Sequence, residues 1–452
     1  MTSFSRHNGL FLVATFVFIL GVLTFNWNLL QTADTELFST FQTDSDSLVL
    51  QALGADARML GVETDAGFTI YPSQYGAQLL FFRAIGGLDV WSPVGLASVN
   101  ATLMALVVAI VSFLTGRRIF GIWGAAAFGI WLCLSPMAVM MAGSIYWMSW
   151  TWLLPFLVSL SLAPRLWSST GLLLAVVLWW ITLTVKNLFG YEFASTIAIS
   201  AAVPIVIYGL KQGKSVRATA VPCFVLAAVS VVAMATALVL HVNRLPDDPN
   251  GLSGWAQIGL IAEKRIADNS TPEALRAACE ITPRISALSG ADREKAINQC
   301  AKNLARTQEA SRPVVVLAYS TFRRTVPWLA GPDIIDSEEL VPVRGMLRRG
   351  DLSGARAALA GSDSAVLRLA SLPATILIVW SLIALVIWSI WRRRDKAQAY
   401  AILVSAAAPL SWYLLATAHS YGHLHIAFIL WNVPFLPVLA GMLFSAFDER
   451  HA

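Results

Sequence analysis

The chain has 452 residues, 57% hydrophobic and only 13% charged, with a mean hydropathy of +0.65. An average soluble domain carries about 25% charged residues, so an ordinary soluble enzyme, a disordered chain and a collagen-like fibre are excluded. Four cysteines exclude a disulfide-framework scaffold. The net charge of +5 would suit a nucleic-acid binder, but most of the basic excess flanks apolar runs and no nucleic-acid motif accompanies it.

Ten apolar runs predict membrane-spanning helices, at roughly 9–29, 93–114, 119–141, 145–163, 171–187, 193–210, 219–240, 371–391, 398–418 and 424–446. Each is close to or beyond the ~18 residues that cross a bilayer core of about 30 Å. Backbone polar groups at that depth need internal partners, so helices are expected, and the short alternating segments of a β-barrel are missing from the sequence. The first run resembles a signal peptide, but it is long and no small-x-small cleavage site follows, so it reads as a retained helix.

Orientation follows from Lys and Arg in short loops. One set of loops holds Arg6, Arg117, Arg118, Arg165, Lys211, Lys214, Arg217, Arg392, Arg393, Arg394, Lys396 and Arg450; the other holds only Arg58, Arg83 and Lys186. The first set is predicted to be cytoplasmic, with both termini on that side, in a bacterial inner (plasma) membrane. The expected fold class is therefore an all-α integral membrane protein of about ten transmembrane helices, with a periplasmic first loop and a larger helical periplasmic domain. The expected division is 1–240 for helices one to seven, including the outer loop 31–92, then 241–370 for the periplasmic helical domain, then 371–452 for helices eight to ten. In 241–370, Thr271, Pro272 and Glu273 read as the start of a helix. Residues 290–310 read as a second helix and 344–361 as a third. Cys279 and Cys300 fall one on each of the first two helices, and an oxidising compartment would let them bridge. Cys133 and Cys223 read as small apolar fillers.

Four polar clusters fall on the same predicted side. Thr43-Asp44-Ser45-Asp46-Ser47 offers two carboxylates at i and i+2. They suit chelation of a divalent cation, or a general base tuned by its neighbour; they equally suit an N-cap and first turn. Tyr71, Gln74 and Tyr75 bring aromatic and amide groups that suit a sugar ring, or an interfacial aromatic belt. Lys186, Tyr191 and Glu192 sit in a turn with few other charges, as site residues or snorkelling anchors. His419, His423 and His425 gather three of the six histidines within seven positions, suiting a metal or a phosphate. No HExxH pattern, dinucleotide fingerprint, Walker loop, Gly-x-Ser-x-Gly elbow or Cys-x-x-Cys pair occurs.

The many spans, the Thr-Asp-Ser-Asp-Ser segment shortly after the first of them and the large late outer segment resemble the glycosyltransferase-C (GT-C) superfamily. That resemblance implies transfer of a sugar from a polyprenyl-phosphate carrier to a glycan or lipid acceptor, with Asp46 or Asp44 as base or substrate orienter. A carrier phosphate held at the interface calls for a cationic or imidazole group, for which Lys186 and the histidines are the candidates. The family's acidic pair is usually adjacent, whereas Ser45 separates the two aspartates here, so metal use and the identity of the base stay open. Two rivals remain. An O-antigen ligase or polymerase would rest on Arg323-Arg324 or Arg348-Arg349. A lipid-linked glycan transporter would call for mid-membrane charges and inverted repeats.

Overall fold

The structure is a computed structural model. It describes residues 3–33, 43–65, 67–246, 251–266, 272–280, 285, 288–310, 342–343, 346, 354, 357–358, 388, 396–416 and 427–449. The protein is mostly helical. Among the described residues five stretches are long and apolar enough to cross a membrane: His7–Trp27, Pro93–Leu134, Ser169–Phe189, Ala194–Lys211 and Val216–Val242.

The chain divides into two compact units. The first, residues 1–258, 396–409 and 430–452, contains most of the helices. Its first helix α1 (Ser3–Trp27) packs on α4 (Pro93–Thr115) and α5 (Gly121–Leu134). Between α1 and α4 lie α2 (Thr43–Gly54), strands β1 (Gly61–Thr64) and β2 (Gly67–Ile70), and α3 (Ala77–Ala84). The two strands pair antiparallel, with Gly61 opposite Ile70 and Thr64 opposite Gly67. This hairpin departs from the all-α expectation. Gly67 at φ +105° supplies the left-handed backbone its turn requires.

The stretch Pro93–Leu134 is two helices. The chain reverses through a π-helical turn, Gly116–Phe120, and α5 runs back along α4. Gly129 lies where a Cβ would collide with the Ser112 hydroxyl and with Val17, so only glycine lets α1, α4 and α5 approach this closely. Ser92, Ser168 and Ser215 cap their helices by accepting main-chain N–H groups. After α6 (Pro136–Ala142) the expected span 145–163 is helical only from Ser149 onward. The backbone is irregular to Met148, then makes a 3-10 turn (Ser149–Leu153) and only the short α7 (Leu154–Leu162).

Helix α8 (Ser169–Phe189) and α11 (Val216–Val242) lie side by side in the same direction, joined by α9 (Ala194–Ser200) and α10 (Ala202–Lys211). Trp180 Nε1 donates to Thr236 Oγ1 at 3.2 Å between α8 and α11. Of the last three expected spans, 371–391 lies outside the described residues except for Trp388. Run 398–418 is represented by the helix Lys396–Leu415, interrupted by Pro409, and 424–446 by a 3-10 turn (Ala427–Asn432) and the helix Phe435–Glu449.

The second unit is residues 259–395 and 410–429. Its helices Pro272–Glu280 and Gly290–Ala310 pack together and are joined by a Cys279–Cys300 disulfide. Half-buried Arg276 also meets Glu280 and Glu294. The bridge closes a loop of sequence separation 21, for which the chain-entropy argument gives about 3 kcal/mol. Cys279→Ser/Cys300→Ser is expected to raise hydrogen exchange in these two helices by roughly 100-fold; unchanged exchange would show that the pair contributes nothing.

Candidate functional site

Four separated segments of the first unit meet at one end of its helices: the start of α2, the start of α3, the irregular stretch after α6, and the end of α8 with the turn that follows. Asn100 on α4 holds the irregular stretch in place, its Nδ2 donating to the carbonyls of Ala142 at 3.1 Å and Ser144 at 2.5 Å. Asn100 is fully buried.

Asp46 lies in the first turn of α2, where a carboxylate is favoured by the helix dipole. Its bonds go elsewhere. Oδ1 accepts from Ser144 Oγ at 2.8 Å and from the Tyr146 N–H at 2.9 Å, across about 100 residues of chain. Burial drives this carboxyl from its ordinary value up to about 7, against the lowering pull of Ser144 and the N–H groups of Tyr146 and Ile145. The Asp44 side chain lies outside the described residues.

Gln74 and Gln78 are 1% and 0% exposed. Gln74 Nε2 donates to Tyr146 Oη at 2.7 Å and to Glu192 Oε2 at 2.9 Å. Gln78 Nε2 donates to the carbonyls of Tyr146 and Phe189, both at 2.6 Å. Gln74, in the lead-in before α3, and Gln78, in its first turn, together tie the irregular stretch to the end of α8.

Lys186, in the last turn of α8, is buried, and its ammonium donates to the carbonyl of Gly190 at 2.7 Å and to that of Glu192. The buried Glu192 carboxylate attracts it electrostatically. At Gly190 a Cβ would stand 2.6 Å from Glu192 Oε2 and 3.1 Å from Gln74 Nε2, so a side chain there would push the carboxylate and the amide out of place. Gln74, Tyr146, Trp147, Trp152, Lys186 and Glu192 line a small pocket, with Phe189 and Gly190 completing it. Its free interior holds about one water molecule. The indole of Trp147 stacks on Phe193 at 5.4 Å and meets Trp152 edge-on at 6.3 Å. Met148 and Phe193 adopt φ of +46° and +62°, a strained choice for large side chains that marks sites the surrounding structure over-determines.

The residues expected from sequence sort into groups. Asp46, Gln74, Lys186 and Glu192 come together: Tyr146 links Asp46 to Gln74, and Glu192 links Gln74 to Lys186. Tyr75 and Tyr191 belong to a neighbouring cluster around buried His241: Tyr191 Oη lies 3.0 Å from His241 Nδ1, Tyr75 meets the imidazole edge-on, and Arg244 lies 4.5 Å over the Tyr75 ring. Tyr71 extends the β-hairpin, its N–H donating to the Leu60 carbonyl at 2.7 Å, and does not line the pocket. His419, His423 and His425 lie outside the described residues, as do Arg323, Arg324, Arg348 and Arg349. Among the described residues no group of three His, Cys, Asp or Glu gathers as for a metal ion.

Ser144, Tyr146, Trp147, Trp152, Gln78 and His241 were not anticipated. A signal for Ser144, Tyr146 and Trp147 exists in Gly143-Ser-Ile-Tyr-Trp-Met-Ser-Trp150, a run of small, hydroxyl and aromatic residues too polar for a lipid-facing helix. Non-helical backbone at such depth is tolerated where protein or a cavity satisfies it, and here Asn100, Gln78 and Asp46 do so. No family model, curated protein or solved structure matches the chain.

Proposed function

We propose that the protein is a membrane glycosyltransferase of the GT-C kind. It moves a sugar from a polyprenyl-phosphate carrier to a cell-surface glycan or lipid acceptor on the periplasmic side of a bacterial inner membrane. The observation that carries the reading is Asp46: a carboxyl raised to about 7, held by Ser144 and the Tyr146 N–H. A general base is most effective when its pKa lies near the working pH. Asp46 would take the proton of the acceptor hydroxyl as oxygen attacks the anomeric carbon and the carrier phosphate leaves, with inversion.

The adjoining pocket supports the same reading. Carboxylate and amide groups beside indole rings suit sugar hydroxyls and the apolar face of a pyranose. Its present volume admits one substituent, such as a hydroxyl group, so the rest of the sugar would lie outside it or enter as the aromatic wall moves. Lys186 is occupied by the Gly190 and Glu192 carbonyls and holds the turn that carries Glu192.

The test is transfer in isolated membranes. Membranes from cells expressing the chain are incubated with radiolabelled polyprenyl-phosphate glucose, mannose, galactose or arabinose, and the acceptor fraction is counted. One donor is expected to label a glycan or glycolipid only when the intact chain is present. No chain-dependent transfer from any donor, with the protein shown to be folded, would overturn the proposal.

A further inference from the structure

The end of the helices remote from the pocket carries a second polar surface. The turn Gly116–Phe120, the 3-10 turn Ala163–Arg165, the end of α10 and the start of α11 meet there. Lys211 Nζ donates to the Ile119 carbonyl at 2.9 Å. Trp167 Nε1 donates to the Ala218 carbonyl at 3.3 Å, its indole stacks on Tyr208, and Lys214 Nζ lies 6.0 Å over its ring. These contacts gather Arg117, Arg118, Arg165, Lys211, Lys214 and Arg217 on one surface. Between Asp89 and Asp247 the sequence has a single acidic residue, Glu192, and it sits at the opposite end. Asp448 and Glu449 close the helix Phe435–Glu449, which also packs against the Gly116–Phe120 turn; their side chains lie outside the described residues.

So many like charges on one surface repel unless an anion joins them. Arg118 supports the same reading: its Nε is shielded from solvent and has no hydrogen-bond acceptor among the described residues. The apolar surface beside the patch says which anion. On α11, directly after its capped start, Val221 and Phe224 are 53% and 75% exposed, and Trp167 and Tyr208 lie level with the charges, as aromatics do at a bilayer interface. A phosphate with acyl chains fits both parts; a free phosphate uses only one.

We propose that this surface holds the headgroup of an anionic phospholipid, its phosphate taken by Arg117, Arg118, Lys211 and Lys214 and its acyl chains laid along α11. Guanidinium forks pair with phosphate oxygens bidentately and ammonium groups act as point charges. This site is independent of the glycosyltransferase reading.

The full chain, purified in detergent, is titrated with phosphatidylglycerol and with phosphatidylcholine of the same acyl chains, and bound lipid is counted by native mass spectrometry. Preferential retention of phosphatidylglycerol is expected. Arg117→Gln/Lys214→Gln alters two exposed side chains and should weaken that preference about 25-fold, from roughly fivefold per basic residue near an anionic lipid. Adding Arg118→Gln should weaken it further, with thermal melting used to confirm folding. Equal retention of the two lipids overturns the proposal, as does a monodisperse double variant with the wild-type preference. Equally tight binding of glycerol phosphate without acyl chains overturns the assignment to lipid.

Discussion

Asp46→Asn is expected to lower sugar transfer by roughly 10²- to 10⁴-fold, the usual range for loss of a general base. Asparagine keeps the shape of the side chain, and its Oδ1 still accepts from Ser144 and the Tyr146 N–H, the bonds that tie α2 to the irregular stretch. The chain should therefore fold while losing the base. Two pH profiles separate this from a purely structural role. The carboxyl is raised from an ordinary value of 3.8 to about 7, so the wild-type rate should climb with pH through about 7 as the base ionises. Stability should run in the opposite sense. The folded state holds this proton more tightly than the unfolded chain, so the contribution is fully present below about pH 4 and is lost as pH rises through about 7. Asparagine should flatten both profiles. If Asp46→Asn flattens only the stability profile and transfers sugar at the wild-type rate, Asp46 is a clamp and the base must be sought elsewhere.

What could be read from the chain divides along physical lines. Long apolar helices were legible because a bilayer demands a minimum length of low polarity, and α1, α4, α8 and α11 answer that demand directly. Residues 145–163 pass the same hydropathy criterion, yet they open on irregular backbone and continue as a 3-10 turn and a short α-helix. A windowed average weighs Ile145, Trp147 and Trp152 as apolar and has no means of registering that Ser144 and Tyr146 bond to Asn100 and Asp46 far away in the chain. The hairpin at Gly61–Ile70 was missed for a related reason: its eight strand residues show little alternation beside the aromatic segment that follows. Within the site, Lys186, Glu192, Gln74 and Asp46 were legible as polar side chains set among apolar neighbours, where each needs a reason to be there. Ser144 and Tyr146 were not, because the bonds that recruit them include main-chain N–H and C=O groups that every sequence possesses. Tyr146 unites the site by presenting its N–H to Asp46, its carbonyl to Gln78 and its hydroxyl to Gln74, and only the fold of the chain around it reveals all three.

The other large effect belongs to Lys186. Lys186→Met fills the space with an apolar side chain of similar length but strips the Gly190 and Glu192 carbonyls of their donor and leaves the buried Glu192 carboxylate without its positive neighbour. Removing one partner from a buried charge pair costs about 3–5 kcal/mol, a large part of the stability of any helical domain. Glu192→Gln alone should cost less, because the amide still accepts from Gln74 Nε2 and the lysine keeps its two carbonyls. The double variant Lys186→Met/Glu192→Gln should then recover part of the loss, since it no longer buries an unbalanced carboxylate; residues in one network commonly couple by 0.5–3 kcal/mol. Thermal or denaturant unfolding of the full chain in detergent measures all four proteins of the cycle. A double variant no more stable than Lys186→Met would mean that the ammonium matters only through the carbonyls, making Lys186 a brace for the turn before Phe193. Recovery in the double variant would instead identify a balanced internal charge pair, set beside the pocket so that a substrate hydroxyl meets a carboxylate whose charge is already compensated.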